Sequence, residues 1–114
     1  MNLHRTVFFN VLFGIFSDCQ EYYENGYTEP GVYRVKIPNS SLGTFDVWCD
    51  FFHGHGWTVI QKRFDGSVNF HRDWSDYKNG FGSIKGEYWL GELKILLYWV
   101  AEILACVKPF KVCK

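Results

Sequence analysis

The sequence lacks any block of charge of one sign. Its 114 residues include twelve lysines and arginines and twelve aspartates and glutamates, so the formal net charge is zero at pH 7. These charges are scattered along the chain, whereas proteins that bind nucleic acid or anionic membranes concentrate basic residues on one face or in one segment. The composition therefore predicts neither of those partners.

Catalytic signatures are missing as well. The sequence contains no Gly-x-Ser-x-Gly, no His-Glu-x-x-His and no phosphate-binding glycine loop, which are the local patterns of several large enzyme classes. His71, Asp73 and Asp76 share one predicted helical turn, but charged residues at this spacing usually form a solvated helix surface. We therefore predict no catalytic residues and no enzymatic activity.

The histidines form no recognisable metal site. His53 and His55 make a His-x-His pair, but a metal ion needs three or four ligands at a suitable spacing. The nearest further candidates, Asp50 and His71, complete no known pattern, so a solvated turn is the better interpretation. We predict no metal ligand and no cofactor-binding residue.

No apolar run is long enough to predict a membrane span. The first run, residues 7–16, is about half of the roughly 20 residues that a bilayer requires. Because His4 and Arg5 precede it, residues 1–17 have the order of a secretory signal peptide. Asn10 interrupts the run and no small-x-small cleavage site follows, so an irregular leader is the alternative interpretation.

Aromatic side chains are abundant, at 20% of the residues, and they fall in short periodic segments. Tyr33, Val35 and Ile37 alternate with basic residues, and a second alternating run extends over residues 45–51. This pattern predicts two half-buried antiparallel strands that are joined by the loop at residues 38–43.

A third strand and a helix are predicted after this hairpin. Residues 57–63 combine β-branched, aromatic and polar side chains, a composition typical of a strand. Aromatic residues then recur at the helical period, which predicts a helix over residues 70–79 with Ser67 or Asn69 as its N-cap and Gly80 after its end. The residues of its predicted inner face are Phe70, Trp74, Tyr77 and Phe81.

The last segment is almost uniformly apolar. Residues 93–107 are interrupted only by Lys94 and Glu102, which predicts a buried or exposed apolar helix rather than a membrane span. Cys106 and Cys113 fit a disulfide or two idle thiols better than a zinc site. Together, the predicted strands and helices indicate an α+β fold.

Two features point to a secreted protein. Four cysteines in so short a chain suggest an oxidising compartment, although they allow three pairings. Asn39-Ser40-Ser41 is an N-glycosylation sequon in the predicted hairpin loop, where a glycan would stand clear of the sheet. We therefore predict glycosylation at Asn39 on condition that the chain is secreted.

Several short motifs in the middle of the chain are specific to one family. They are Gly56-Trp57-Thr58-Val59-Ile60-Gln61-Lys62-Arg63, Asp65-Gly66-Ser67-Val68-Asn69-Phe70, Trp74, Tyr77-Lys78-Asn79-Gly80-Phe81-Gly82 and Gly86-Glu87-Tyr88-Trp89-Leu90-Gly91, after the earlier Asp18-Cys19, Gly31-Val32-Tyr33 and Cys49-Asp50. With these motifs, residues 18–95 resemble the N-terminal part of a fibrinogen C-terminal-like domain, as found in fibrinogen-like and angiopoietin-like proteins. Residues 96–114 form a divergent apolar tail outside the resemblance.

The resemblance implies a fold and a disulfide. It implies a disulfide-linked antiparallel hairpin with a third strand and short helices, in which Cys19 is bonded to Cys49 as the family's first two cysteines are. Such a bond closes a loop of about thirty residues, which in the chain-entropy model contributes roughly 3–4 kcal/mol. The alternative is two free buried thiols.

The resemblance also implies extracellular recognition of a protein or glycan ligand, rather than catalysis. In the family, a calcium site and the ligand pocket lie in the C-terminal half of the domain, and no Asp-x-Asp run follows Leu90 here. We therefore expect a secreted, truncated binding module without a calcium site or other cofactor. The alternative is a non-functional or misfolding truncated product, and the sequence predicts no oligomeric state.

Overall fold

The chain builds its sheet around one central strand. The computed structural model describes residues 14–100, 105–108 and 112–113. Its elements, in chain order, are α1 (Cys19–Glu24), β1 (Gly31–Lys36), β2 (Thr44–Phe52), β3 (His55–Lys62), α2 (Trp74–Asn79), β4 (Phe81–Gly82), β5 (Tyr88–Trp89), α3 (Glu92–Val100), β6 (Ala105–Lys108) and β7 (Val112–Cys113). This α+β arrangement confirms the predicted fold class.

The sheet has the strand order β1-β2-β3-β5-β4, and neighbours along this path run antiparallel. Strand β6 pairs in parallel with β3 and antiparallel with β7. The predicted hairpin is therefore present as β1 and β2, with Val35 opposite Phe45, and the predicted third strand is β3.

Alternation along β1 and β2 places one face of the hairpin in the core. Val35 and Val47 have no exposed surface, whereas Arg34, Lys36 and Asp46 are exposed. Successive strand residues point to opposite faces of a sheet, so the apolar set of each strand meets the same core. Val59 on β3 is also completely buried and extends this core under the third strand.

A two-residue loop joins β2 to β3. Phe52 pairs with His55, and the two residues between them, His53 and Gly54, have φ angles of 54° and 74°. Positive φ at both central positions is what a type I′ hairpin turn requires, and its twist matches that of the flanking strands. The His-x-His pair predicted to lie in a turn is thus divided between this turn and the first residue of β3.

Helix α1 was not predicted from the sequence. Asp18 is its N-cap, and the Asp18 carboxylate accepts a hydrogen bond from the Glu21 backbone N–H at 2.7 Å. Glu21 in turn accepts from the Ser17 backbone N–H at 2.9 Å. This pair of acidic residues three apart resembles a capping box, which is the sequence signal that could have revealed the helix.

The predicted helix at residues 70–79 is shorter than expected. It begins at Trp74, and its N-cap is Asp73, whose carboxylate accepts from the Asp76 backbone N–H at 3.0 Å. The predicted caps Ser67 and Asn69 are wrong. The Asn69 side chain instead accepts from the His71 backbone N–H at 2.9 Å, and such local bonds compete with helix formation.

The predicted inner face of this helix is correct in part. Phe81 packs edge-on against Phe70 and Tyr77, with ring centroids 4.9 and 5.1 Å apart. Trp74 does not join them, and 69% of its surface is exposed. Because the helix begins only at Trp74, the helical period does not connect Phe70 to this residue. Gly80 follows the helix with φ 95°, as predicted.

The apolar segment predicted as one helix over residues 93–107 is divided. Helix α3 ends at Val100, and Ala105–Lys108 pairs with β3 as strand β6. An apolar run satisfies the burial requirement of either a helix or a strand, so composition alone did not distinguish them.

The residues just before α1 pack on the sheet. Phe16 is 3% exposed, forms a parallel bridge with Val35, and accepts a hydrogen bond at its carbonyl from the Lys36 backbone N–H at 3.1 Å. The Tyr98 hydroxyl on α3 donates to the Ser17 carbonyl at 3.1 Å. Residues 1–13 of the predicted leader lie outside the described residues.

Candidate binding surface

A disulfide ties α1 to the middle of β2. It joins Cys19 to Cys49, the pairing that the resemblance implies, with 5.5 Å between their Cα atoms. Neither cysteine has any exposed surface. The bond therefore fixes the first helix against the sheet from inside the core.

Gly56 on β3 allows α1 to approach this closely. A Cβ atom at Gly56 would lie 2.1 Å from the Cys19 carbonyl oxygen, which is backbone and cannot turn away. The Gly56 backbone N–H also donates to the Gln20 side-chain oxygen at 2.8 Å. The glycine of the Gly-Trp motif is thus needed because helix and strand backbones are in contact there.

The carboxylate of Glu87 organises the loop that follows β3. One oxygen accepts hydrogen bonds from the backbone N–H groups of Phe64, Asp65 and Gly66 at 2.5, 2.8 and 3.0 Å, and the other accepts from Val68 at 3.1 Å. Glu87 is only 2% exposed. These four bonds lower the pKa of Glu87 to about 2, against the opposing effect of burial.

Sequence reasoning did not single out Glu87. The available signal was a lone acidic residue between Gly86 and the apolar residues Tyr88, Trp89 and Leu90. A charged residue at the start of a buried strand needs a partner, and here the partner is backbone rather than a basic side chain. Tyr88 and Leu90, which follow Glu87 in the motif, are buried.

A shallow pocket of about 220 Å³ opens where α2, β4, β5 and α3 meet. Asp46 and Lys94 both line it, together with the backbone-rich segment Asn79–Gly82. Burial lowers the pKa of the Lys94 ammonium, which lies 5.1 Å from the centroid of the Phe45 ring. Asp46 is paired instead with Arg34, at 3.2 Å.

Several large apolar side chains of the described residues are exposed. Trp74 and Phe64 are 69% and 63% exposed, and on α3 Leu93 and Leu96 are 42% and 59% exposed. The Lys78 ammonium lies 5.1 Å from the centre of the Trp74 ring, a cation–π contact at the surface. Single exposed apolar side chains are common on protein surfaces.

The remaining predicted site residues are surface residues. Asn39 is exposed in the β1–β2 loop with φ 61°, a conformation that asparagine tolerates better than most residues. His53 and His55 are both exposed. Within the described ranges, no three His, Cys, Asp or Glu side chains lie close enough together to hold a metal ion.

None of the helices in the described part of the chain has both the length and the apolar character needed to span a bilayer.

Comparison with curated proteins gives close relatives. Fibrinogen-like protein 1 from Bos taurus is 52% identical over 85 residues, which cover 72% of this chain and 27% of that protein. Angiopoietin-related protein 1 from Homo sapiens is 54% identical over 79 residues, covering 68% of this chain and 16% of that protein. The chain thus spans about a quarter or less of the length of these relatives.

Solved structures show the same fold. The fibrinogen-like globe domain of human ANGPTL2 matches with a TM-score of 0.68 and 48% identity, covering 75% of this chain and 39% of that one. Lamprey fibrin D-dimer, in complex with the peptide ligand Gly-His-Arg-Pro-amide, matches with a TM-score of 0.66 and 46% identity, covering 73% of this chain and 27% of that one.

A family model gives the assignment directly. The model of the C-terminal globular domain of fibrinogen beta and gamma chains matches residues 15–102, more than three quarters of the chain. The matched segment contains Cys19, Cys49, Gly56 and Glu87. The chain therefore belongs to the fibrinogen C-terminal domain family, whose fibrinogen-like and angiopoietin-related members are not enzymes.

Proposed function

We propose that this chain is a secreted, extracellular recognition module of the fibrinogen-like and angiopoietin-like type. It acts by binding a protein or glycan ligand through its surface, without chemistry of its own. The observation that carries the proposal is family membership over residues 15–102. A fold whose core is closed by a disulfide supports it, since such bonds persist in oxidising compartments.

A protein or peptide ligand has direct support from one neighbour. The lamprey fibrin D-dimer, which has the same fold, was solved with a bound peptide. The present chain covers 27% of that protein chain, so the position of the peptide is not transferred to any residue here. What transfers is the class of function, namely recognition by a preformed surface.

We also propose that this module works without calcium or another cofactor. The proposal rests on the sequence, because the calcium site of the family lies in the C-terminal half of the domain and no Asp-x-Asp run follows Leu90 here. Thermal unfolding with and without millimolar calcium tests this part. Equal melting temperatures support it, and a clear increase with calcium contradicts it.

Glycosylation at Asn39 belongs to the same proposal. Asn39 is exposed in the β1–β2 loop, where the asparagine is accessible to glycosylation. Secreted protein should lose mass on treatment with an N-glycosidase, and the Ser41→Ala variant should show no such loss. An unchanged mass in the wild-type protein would contradict the assignment.

Phe16 limits how much of the N-terminus can be removed on secretion. No small-x-small site is present, so cleavage at the end of the predicted signal peptide would have to use Ile15 and Ser17 as the −3 and −1 residues. Cleavage there would remove Phe16, whose burial contributes roughly 1.5–3 kcal/mol. We therefore expect the stable secreted chain to retain Phe16, which mass spectrometry of its N-terminal peptide measures.

The decisive experiment is expression of the full chain in a secretory host. Medium and cell pellet are analysed separately by non-reducing peptide mapping. Soluble chain in the medium with Cys19 bonded to Cys49 supports the proposed function. Chain held in the cells with free or scrambled cysteines contradicts it and favours the alternative of a misfolding product.

A further inference from the structure

Cys106 and Cys113 lie directly opposite each other in the hairpin formed by β6 and β7. The two strands run antiparallel, and their register pairs Cys106 with Cys113 and Val107 with Val112. The sequence allows two interpretations of these cysteines, a disulfide or two idle thiols. The register bears on that choice because it sets the distance between their backbones.

The separation of directly opposite residues suits a disulfide. In an antiparallel pair, their Cα atoms are about 4.5 Å apart at non-hydrogen-bonded positions and about 5.5 Å apart at hydrogen-bonded positions. Disulfides span Cα separations of roughly 4.4–6.8 Å, and the bond between Cys19 and Cys49 spans 5.5 Å. Either kind of position therefore brings two cysteines within reach of a bond.

The other pairings of the four cysteines do not fit the sheet. Cys19 and Cys49 are bonded to each other and have no exposed surface. Thr58 on β3 pairs with Cys49 on one side and with Ala105, the neighbour of Cys106, on the other. Cys49 and Cys106 are therefore two strand spacings apart, about 9–10 Å, which exceeds the span of a disulfide.

We propose that Cys106 and Cys113 form a second disulfide, which fastens β7 to β6. In its formation the two thiols transfer two protons and two electrons to a disulfide oxidant such as oxidised glutathione, which leaves as two thiol molecules. The inference rests on the proposed function in one respect, since the bond persists only in an oxidising compartment.

The bond has a structural use at this position. Strand β7 has two residues, and among the described strands it pairs only with β6. An isolated two-stranded hairpin is at best marginally stable in water. Strand β6 is also paired with β3, the central strand of the sheet. A bond across the hairpin would therefore join a weakly held strand to one that is anchored in the sheet.

Non-reducing peptide mapping of the full chain tests the bond. Free thiols are first blocked with iodoacetamide. Trypsin cleaves after Lys111, so Cys106 and Cys113 fall in two different peptides, 95–111 and 112–114. We expect these peptides to be linked until they are reduced. In the Cys113→Ser variant the link should be absent, and Cys106 should be alkylated.

Two preparations separate this inference from the proposed function. One is the chain secreted into the medium, and the other is the full chain refolded from denaturant in a glutathione redox buffer. Linked peptides in either preparation support the inference. A chain that is not secreted but that carries the link after refolding contradicts the proposed function and leaves the inference standing.

Hydrogen exchange measures what the bond does for the hairpin. In the Cys106→Ser, Cys113→Ser double variant, the backbone amides of β7 should exchange about tenfold faster or more than in the oxidised wild-type chain, because the tether to β6 is lost. Each single variant should exchange as fast as the double variant, since loss of one sulfur breaks the whole bond. Increments that add from the single variants to the double variant would contradict this explanation.

Three mapping results would overturn the inference. The first is alkylation of both Cys106 and Cys113 in a chain whose Cys19 is bonded to Cys49. The second is a bond from either C-terminal cysteine to Cys19 or Cys49. The third is a link between peptides 95–111 and 112–114 that occurs only in a covalent dimer on a non-reducing gel, because the bond then joins two chains.

Discussion

At the scale of single residues, Glu87 and Gly56 both make their critical contacts with backbone atoms rather than with side chains. The Glu87 carboxylate accepts hydrogen bonds from four backbone N–H groups, and Gly56 lies against the Cys19 backbone carbonyl. Neither arrangement has a complementary side chain that a reader of the sequence could search for. This is why the motif containing each residue was recognised while its physical role was not.

Replacement of Glu87 by glutamine should destabilise the fold and abolish part of its acid sensitivity. The pKa of Glu87 in the folded chain is about 2, below its ordinary value of 4.5. The stabilisation from its charge is therefore complete above about pH 4.5 and declines as the pH falls toward 2. Thermal unfolding between pH 2 and 7 should show a smaller pH dependence for Glu87→Gln than for the wild-type chain.

Glu29 provides the control, because its side chain is exposed and its charge lies outside this loop. The Glu29→Gln variant should follow the wild-type pH profile. If Glu87→Gln retained the full acid sensitivity of the wild-type chain, the backbone-held carboxylate would not be its source.

Alanine at Gly56 should cost roughly 1–3 kcal/mol or more in unfolding free energy. The added methyl group would meet the Cys19 carbonyl at 2.1 Å, and both partners belong to the backbone, so the helix and strand must separate. Denaturant unfolding of the oxidised protein measures the loss. Gly31→Ala is the matched change, since a Cβ at Gly31 meets no atom within 4 Å. Equal effects in the two variants would argue against a close contact at Gly56.

At the scale of elements, strands β1, β2 and β3 were predicted more accurately than the helices. The alternation over residues 45–51 predicted β2 correctly, because a strand with one buried and one exposed face alternates apolar and polar residues. The helix at residues 70–79 was predicted too long, since Asn69 and Asp73 both offer a cap and only the local fold selects Asp73. Helix α1 was missed because its six residues carry too short a periodic pattern.

The β2–β3 turn offers a test at this scale. His53 has φ 54°, in the left-handed region that costs most L-residues about 1 kcal/mol. Because asparagine is favoured at this position of a type I′ turn, His53→Asn should raise the unfolding free energy by about 0.5–1 kcal/mol.

His55→Asn serves as the comparison, because His55 is equally exposed but belongs to β3. It should be neutral or slightly destabilising, since asparagine is poor in strands. Denaturant unfolding of both variants measures the two changes in unfolding free energy. A stabilisation of similar size in each would refute the turn-based explanation.

At the scale of the whole molecule, the disulfide joins helix α1 to strand β2. Its two cysteines are 30 positions apart and completely buried. Their pairing could be expected from the family resemblance, whereas the exposure of Leu93 and Leu96 could not, because it depends on which face of α3 meets the core. Composition showed that this segment is apolar but not which side of it is covered.

Removal of the disulfide should lower stability by roughly 3–4 kcal/mol in the chain-entropy model. The Cys19→Ala, Cys49→Ala double variant, compared with the oxidised wild-type chain by denaturant unfolding, measures this value. A single Cys19→Ala variant should be at least as destabilised, since it loses the same bond and leaves an unpaired thiol. A double variant as stable as the wild-type chain would show that the bond is not structurally important.

During synthesis on the ribosome, the hydrogen bonds from the backbone of residues 64–68 to the Glu87 carboxylate can form only after Glu87 has emerged. These residues leave the exit tunnel ahead of Glu87 by 19 to 23 positions, which at cellular translation rates is about one to five seconds. During that interval the four backbone N–H groups that donate to Glu87 lack their acceptor. Nascent chains stalled just before Glu87 emerges should thus be cut by protease within this loop, and those stalled well after it should resist.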